Sequence, residues 1–414
     1  MILLWLGHNL AYPPKGGALQ RNYNLLRQAA KKYEVHVLAF DQPATRPSNI
    51  QPEDCVKALS AFCAKVDWLP FPNDGVKGYR YWLALRGLVS RDPFEVNWLR
   101  STEMTQKLKK ALKQAAFDVV HFDTLGLAQY RSLIKTGGTV LNHHDVQSAL
   151  MVRRAEKETK FLLKRYWYRE ADTLLRWEQS RCPQFDENLV CSEDEGSLLA
   201  GSNAKIKTRS VPNGVDMEYF TPRPDPGGTT LLFCGSLDMH PNREAMRYFF
   251  DAIWPKLTLR QNNIEIYVVG RMPPEWLKQI GAKDKRVHVT GFVEDVRPYF
   301  SKATVFVCPI GDGGGTRLKI LDSLAMGVPV ISTSFASSGL CLKDRENILL
   351  ADTPKAFTVC VEEALSNVSL RKSLSAAGVD VVNRVYSWDV IGRSLRDAYE
   401  DASRRRFDHG SGKS

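Results

Sequence analysis

The chain has 414 residues, of which 43% are hydrophobic and 25% charged, with a formal net charge of +11. A mean hydropathy of −0.29 and the lack of low-complexity tracts exclude disordered and fibrous classes, and the length allows two or three domains at roughly 150 residues each. No apolar run approaches the ~20 residues that a membrane-spanning helix needs, and the eight cysteines never form a C-x-x-C pair, which removes support for a zinc ribbon or dithiol motif and favours dispersed reduced thiols.

Charge is unevenly spread. Residues 1–186 hold 28 Lys and Arg against 18 Asp and Glu, whereas the remainder is nearly balanced. Such asymmetry fits an acidic partner such as a membrane surface, and equally fits plain solubility charge. Nucleic acid is not expected, because no motif for its recognition occurs.

In chain order, the opening Met1–Leu6 is too short for the apolar region of a secretion signal and is expected as a buried first strand. A glycine-rich turn follows, Tyr12-Pro13-Pro14-Lys15-Gly16-Gly17-Ala18, and then a helical pattern over 18–32. Further strands are expected at 35–40, 119–122, 139–141 and 188–191, with a helix over 101–116. Buried strands alternating with helices predict a parallel sheet covered on both faces. Polar clusters close two of these strands: His121 with Asp123, and Asn142-His143-His144-Asp145. Both lie at the carboxyl edge, where such sheets place ligands. Consecutive residues such as His143, His144 and Asp145 cannot converge on a tetrahedral ion, so no zinc site is expected from them. Glu193-Asp194-Glu195 reads as an acidic helix start, and no D-x-D metal motif occurs.

Four prolines and three glycines between 212 and 228 predict a linker. Alternation then resumes with strands at 231–235, 264–270, 287–291, 304–309, 328–332 and 348–350, and with helices at 242–260 and from Arg317. The chain closes with a helix from Trp388 to about Arg406. The terminal Gly410-Ser411-Gly412-Lys413-Ser414 is no phosphate loop, since that motif would need glycine at Phe407.

The segment richest in chemistry runs from Cys308 to Thr333 as strand, glycine-rich loop, helix and strand. Gly313-Gly314-Gly315-Thr316 lets backbone amides approach an anion at a helix start. Arg317 can grip a diphosphate in bidentate fashion, and Asp322 can reach polyol hydroxyls such as a ribose. Bases interleaved with aromatics occupy 77–86 and 164–169. The 77–91 stretch is the better candidate for an anionic bilayer, while acids around 164–169 favour a salt-bridged helix face there.

Pro212-Asn213-Gly214-Val215-Asp216, Gly235-Ser236-Leu237-Asp238 with Pro241-Asn242, Gly-Gly-Gly-Thr-Arg-Leu-Lys at 313–319 and Gly327-Val328-Pro329-Val330 together resemble glycosyltransferase family 4, and most closely its bacterial exopolysaccharide-locus members. The resemblance implies an α/β GT-B fold with two Rossmann-like domains whose parallel sheets face a central cleft, and a C-terminal helix crossing back. The expected division is 1–211 for the acceptor side, 212–228 as linker, 229–386 for the nucleotide sugar and 387–414 for the returning helix and tail. It implies a retaining, metal-independent transferase that moves a sugar from a UDP- or GDP-sugar to a hydroxyl acceptor, either a glycan, a lipid-linked molecule or a small one. No cofactor is expected. A cytoplasmic location is expected, with peripheral contact at the inner membrane face.

For this reading the donor would be held by Gly16 and Gly17, Gly235 and Ser236, Gly291, Phe292 and Val293, and Gly313 through Arg317 with Lys319 and Asp322. Arg317, Asp123, His144 and Asp145 are the expected catalytic residues. Two departures from the family pattern stand out. The first carboxylate of its E-x7-E motif falls on Gly314, and the second is the shorter Asp322. The Arg and Lys that usually follow the strand at 231–235 fall on Ser236 and Pro241, so Arg317 with Lys319 is expected to substitute. A catalytically idle nucleotide-sugar scaffold and a nucleotide-sugar 2-epimerase are the alternatives.

Overall fold

The computed structural model describes residues 1–410 except 15, 46, 48, 73–75, 77, 88–89 and 314–316. The chain divides into two compact units, one of Met1–Pro212 with the chain from Ile391 onward, the other of Asn213–Val390.

The first unit is built on a seven-stranded sheet. Its strands are β1 (Ile2–Gly7), β2 (Glu34–Asp41), β3 (Lys65–Pro70), β4 (Val119–Phe122), β5 (Gly138–Asn142), β6 (Glu187–Val190) and β7 (Thr208–Ser210). They lie in the order β3-β2-β1-β4-β5-β6-β7, and every pairing is parallel. Leu3, Leu4, Trp5 and Leu6 of β1 are all buried, which is why the sequence shows a continuous apolar run and no alternation. The order reverses between β1 and β4, so the carboxyl ends of these two strands form the crevice where α/β sheets bind ligands.

Helix Trp388–Gly410 packs on this unit from Ile391 onward, as the resemblance implied. Tyr399 hydrogen-bonds His121 Nδ1 at 3.0 Å, Lys32 pairs with Glu400 at 2.6 Å, and Arg209 pairs with Asp401 at 2.6 Å. At Gly138 a Cβ would meet the Ala402 carbonyl oxygen at 2.4 Å, so the helix seats there only because the side chain is absent.

The second unit repeats the plan with β8 (Thr230–Cys234), β9 (Glu265–Val269), β10 (Val287–Gly291), β11 (Val305–Cys308), β12 (Val330–Ser332) and β13 (Leu349–Leu350). The order β10-β9-β8-β11-β12-β13 is again wholly parallel. The helix expected over 242–260 runs as His240–Tyr248, a wide turn at Phe249–Ile253, and Trp254–Arg260. The wide turn precedes Pro255, which lacks the amide needed to continue the regular ladder. Residues 213–228, read as a linker, are anchored to this unit: Val215 N–H donates to the Tyr386 carbonyl, Phe220 is buried, and Asp225 pairs with Arg371 at 2.8 Å. All eight cysteines are unbridged. Among the described residues no helix is long and apolar enough to cross a membrane.

Candidate active site

In the first unit, three strand ends converge on one carboxylate. Asp123 follows β4 and is fully buried. It accepts hydrogen bonds from His8 Nδ1, just after β1, at 2.5 Å and from Asn22 Nδ2 at 2.8 Å. His144 Nε2, just after β5, lies 3.3 Å from its other oxygen. Burial alone would raise the Asp123 carboxyl, but the charge of His8 and the hydrogen bonds of both histidines outweigh it and hold the carboxyl far below its usual range. For His8 burial works downward, and the Asp123 charge and hydrogen bond overcome it, so its pKa is raised. Arg21 donates to Asn142 Oδ1 at 2.9 Å, steadying the end of β5. Asn9 Oδ1 and Asn22 Oδ1 are buried with no partner among the described residues, so the group retains acceptors for an incoming hydroxyl.

The ligand atoms of His8, Asp123 and His144 lie within 4.8 Å of one another, close enough to hold a metal ion. The 2.5 Å contact between His8 and Asp123 is a hydrogen-bond distance, however. Two ligands of one tetrahedral ion at ~2.0–2.1 Å stand roughly 3.3 Å apart. The geometry is therefore that of an imidazole–carboxylate pair.

Two neighbouring histidines do other work. His121 stacks on Trp5 with ring centroids 3.7 Å apart, and burial pulls it down to about 3, so it is a neutral anchor for the C-terminal helix. His143 bonds Asn188 at 3.2 Å and is likewise lowered by burial, to about 4. His144 therefore takes Asp123 as its partner, while the charge of Asp145 acts on Glu195, which burial and Asp145 push up to about 7.

In the second unit, the carboxyl end of β8 meets the helix Leu318–Ala325. Lys319 reaches back so that its Nζ lies 2.6 Å from Asn242 Oδ1 and 4.6 Å from the Phe233 ring centroid. Asn242 in turn donates to the Ser236 carbonyl at 2.7 Å. Burial pulls the Lys319 amine down to about 8. Burial likewise pushes the Asp322 carboxyl up to about 8, against an opposing pull from Lys319, and Asp322 Oδ1 has no partner among the described residues. Gly235 and Gly270 press together here: a Cβ on Gly270 would stand 1.8 Å from the Gly235 carbonyl oxygen. Only bare backbone fits at this crossing.

Arg317 is the residue before the helix and not within its first turn. Its guanidinium donates to the Asp312 carbonyl at 3.2 Å and lies 5.7 Å from the Phe335 ring. Gly313 has φ +109 and packs on Pro241. The expected contacts at Gly314, Gly315 and Thr316 lie outside the described residues. Gly291 accepts from Gly270 N–H at 3.1 Å, Phe292 is exposed, and Val293 turns inward onto the core. Gly16 and Gly17 open the helix Gly17–Ala30 in the first unit.

A model of the glycosyl transferases group 1 matches residues 228–367, and a model of glycosyltransferase family 4 matches residues 15–219. The chain belongs to glycosyltransferase family 4. The lipopolysaccharide core biosynthesis glycosyltransferase LpsE of Rhizobium meliloti is 31% identical over 124 residues, which is 28% of this chain and 32% of that protein. The match thus spans about a third of that curated relative's length. Sucrose-phosphate synthase from Thermosynechococcus elongatus shares the GT-B fold with a TM-score of 0.68 at 16% identity, covering 99% of this chain and 100% of its own. Anabaena HepE, solved in complex with UDP and glucose, superimposes with a TM-score of 0.66 at 13% identity over 97% of this chain and 99% of its own.

Within this family frame, sequence reasoning missed His8, Asn22 and Arg271, and named Asn242 only as part of a motif. His8 closes β1 at the carboxyl edge, so the strand-end rule that singled out His144 applied to it as well. Arg271 closes β9, and its Nε donates to Ser236 Oγ at 2.7 Å. Ser236 is thus occupied by a neighbouring cation.

Proposed function

We propose that this family 4 protein transfers a sugar from a nucleoside diphosphate-sugar to a hydroxyl acceptor, with retention of anomeric configuration and without a divalent metal. The observation that carries the proposal is Lys319, an amine drawn to the end of β8 beside Gly235 and Asn242. With Arg317 it supplies positive charge where a departing diphosphate needs it. Asp322, whose Oδ1 has no partner among the described residues and which is protonated below about 8, suits a ribose hydroxyl because it can both donate and accept.

UDP is the first nucleotide to test, since HepE was solved with UDP and glucose. In the proposed step the bond from the anomeric carbon to the diphosphate oxygen breaks, and the acceptor oxygen bonds that carbon from the same face. The acceptor's proton passes to the departing phosphate, so no protein nucleophile is required. Asp123, His8 and His144, with Asp145 nearby in sequence, would receive the acceptor or the donor sugar through hydroxyl hydrogen bonds.

The test is nucleotide release from UDP- and GDP-sugars in EDTA, with the product anomer read by NMR, for the wild type and Lys319→Ala. We expect release by the wild type and a loss of about 100-fold or more in the variant. Equal rates would refute the role of Lys319, and nucleotide binding without release would leave a sugar-nucleotide scaffold.

A further inference from the structure

One surface of the first unit has the composition of a membrane contact and lies outside both strand-end sites. Helices Gln147–Lys157 and Phe161–Arg181 form a hairpin that turns over residues 158–160. Its base is fixed: Ser148 bonds the buried Glu178 through both N–H and hydroxyl, and Leu174 and Trp177 lie in the core. Its tip is different. Phe161, Leu162 and Leu163 are 68%, 79% and 42% exposed, although three consecutive helical residues packed on a core would turn at least one of them inward.

Around this apolar tip the charge is cationic. Residues 153–169 hold seven Lys and Arg against two Glu, and Arg153, Arg154, Lys157, Lys160 and Arg165 are exposed. Of the two acids, Glu158 accepts the Lys160 backbone N–H at 2.9 Å. Arg165 lies 5.7 Å from the Phe161 ring and Arg154 3.7 Å from the Trp167 ring, which keeps guanidinium groups beside the aromatic surface. Exposed Tyr168 adds an amphipathic ring.

We infer that this hairpin tip docks the protein on an anionic bilayer surface, with Phe161, Leu162 and Leu163 entering the headgroup region and the surrounding bases meeting acidic lipid. A single apolar tip with a polybasic collar gives weak, reversible and salt-sensitive attachment. A second copy of the chain is a poorer occupant, because pairing two tips would bring like charges together. The inference moves the membrane contact away from 77–91. There Trp82, although exposed, stacks on Tyr79 and lies under Arg86, and Arg169 of the hairpin bonds the Gly87 and Ser90 carbonyls. It is independent of the glycosyl-transfer reading, since none of these residues belongs to either strand-end site.

The test is co-sedimentation of the full chain with phosphatidylcholine vesicles, with and without about 30% phosphatidylglycerol. The wild type is expected to bind the anionic vesicles at least about tenfold better than the neutral ones, and to come off in ~0.5 M NaCl. Phe161→Ser with Leu162→Ser, and separately Lys160→Glu with Arg165→Glu, should each reduce partitioning about tenfold or more with unchanged thermal melting. Trp82→Ser should bind like the wild type. Wild-type protein left in the supernatant, tip variants that still bind, or binding lost only in Trp82→Ser would each overturn the inference. So would a dimer in size-exclusion chromatography that the tip variants abolish, which would assign the tip to a second copy.

Discussion

Replacing Asp123 with Asn tests whether one buried charge organises the strand ends of the first unit. The carboxylate takes hydrogen bonds from His8 and Asn22 at 2.5 and 2.8 Å and lies 3.3 Å from His144 Nε2. Asn keeps the shape and one acceptor oxygen, which can stay with His8 and Asn22. Its amide then faces His144, which can accept in its other tautomer. What disappears is the charge: hydrogen bonds worth about 1.5–3 kcal/mol each to an ionised group become neutral ones of about 1 kcal/mol. Two such bonds give an expected loss of about 1–4 kcal/mol.

The pH dependence has a definite sign. Because His8 is raised above its ordinary 6.5 in the folded protein, its pairing stabilises in full below 6.5 and fades as pH rises through the raised value. Asp123 is lowered from 3.8, so its stabilisation holds above 3.8 and is lost only in strong acid. The substitution should therefore cost more near about pH 6 than near about pH 9. Urea unfolding at these two values, with NMR titration of the His8 ring, reads both effects. The His8 midpoint should fall in the variant, leaving burial as the dominant influence. An equal stability loss at both pH values, or an unmoved His8 midpoint, would refute the reasoning.

Gly270→Ala should destabilise the second unit by about 3 kcal/mol or more, because the new methyl overlaps backbone at Gly235 and flexible side chains cannot yield to it. A melting temperature within error of wild type would contradict the close crossing. Asp322→Ala should weaken UDP about tenfold in calorimetry while leaving 2′-deoxy-UDP little changed; equal losses for both would remove the ribose assignment. Tyr399→Phe should cost about 1–2 kcal/mol by stranding the buried His121 Nδ1. Since His121 stays neutral until about 3, that cost should be the same at neutral and alkaline pH, and a loss seen only in acid would point to another cause.

Much of the fold was readable because parallel strands covered on both faces leave continuous apolar runs, as β1, β2 and β11 do. β3 and β7 left no such trace. β3 runs along the sheet edge with only Leu69 deeply buried, and β7 is three half-buried residues, Thr208–Ser210. The anchoring of the 212–228 stretch was not legible, because proline and glycine report irregular backbone, whether it is free or, as here, pinned by Val215, Phe220 and Asp225.

At the candidate site Arg317, Lys319 and Asp322 stand out in the sequence because they share one short segment at the start of the helix Leu318–Ala325. The direction Lys319 takes was not legible, because it depends on Asn242, 77 residues away. His8 and Asp123 are 115 residues apart, and nothing in either neighbourhood names the other. The hairpin tip shows the same divide: Phe161-Leu162-Leu163 reads as an ordinary helix start until the packing of the rest leaves it uncovered.

The sequence by itself determined the alternation of elements and the doubly repeated α/β plan, because each is set by hydrophobic period and local backbone freedom. Tertiary structure alone decided which strand ends meet, which histidines reach Asp123 and which apolar residues face outward. Those properties depend on strand order and burial, and distant parts of the chain supply both.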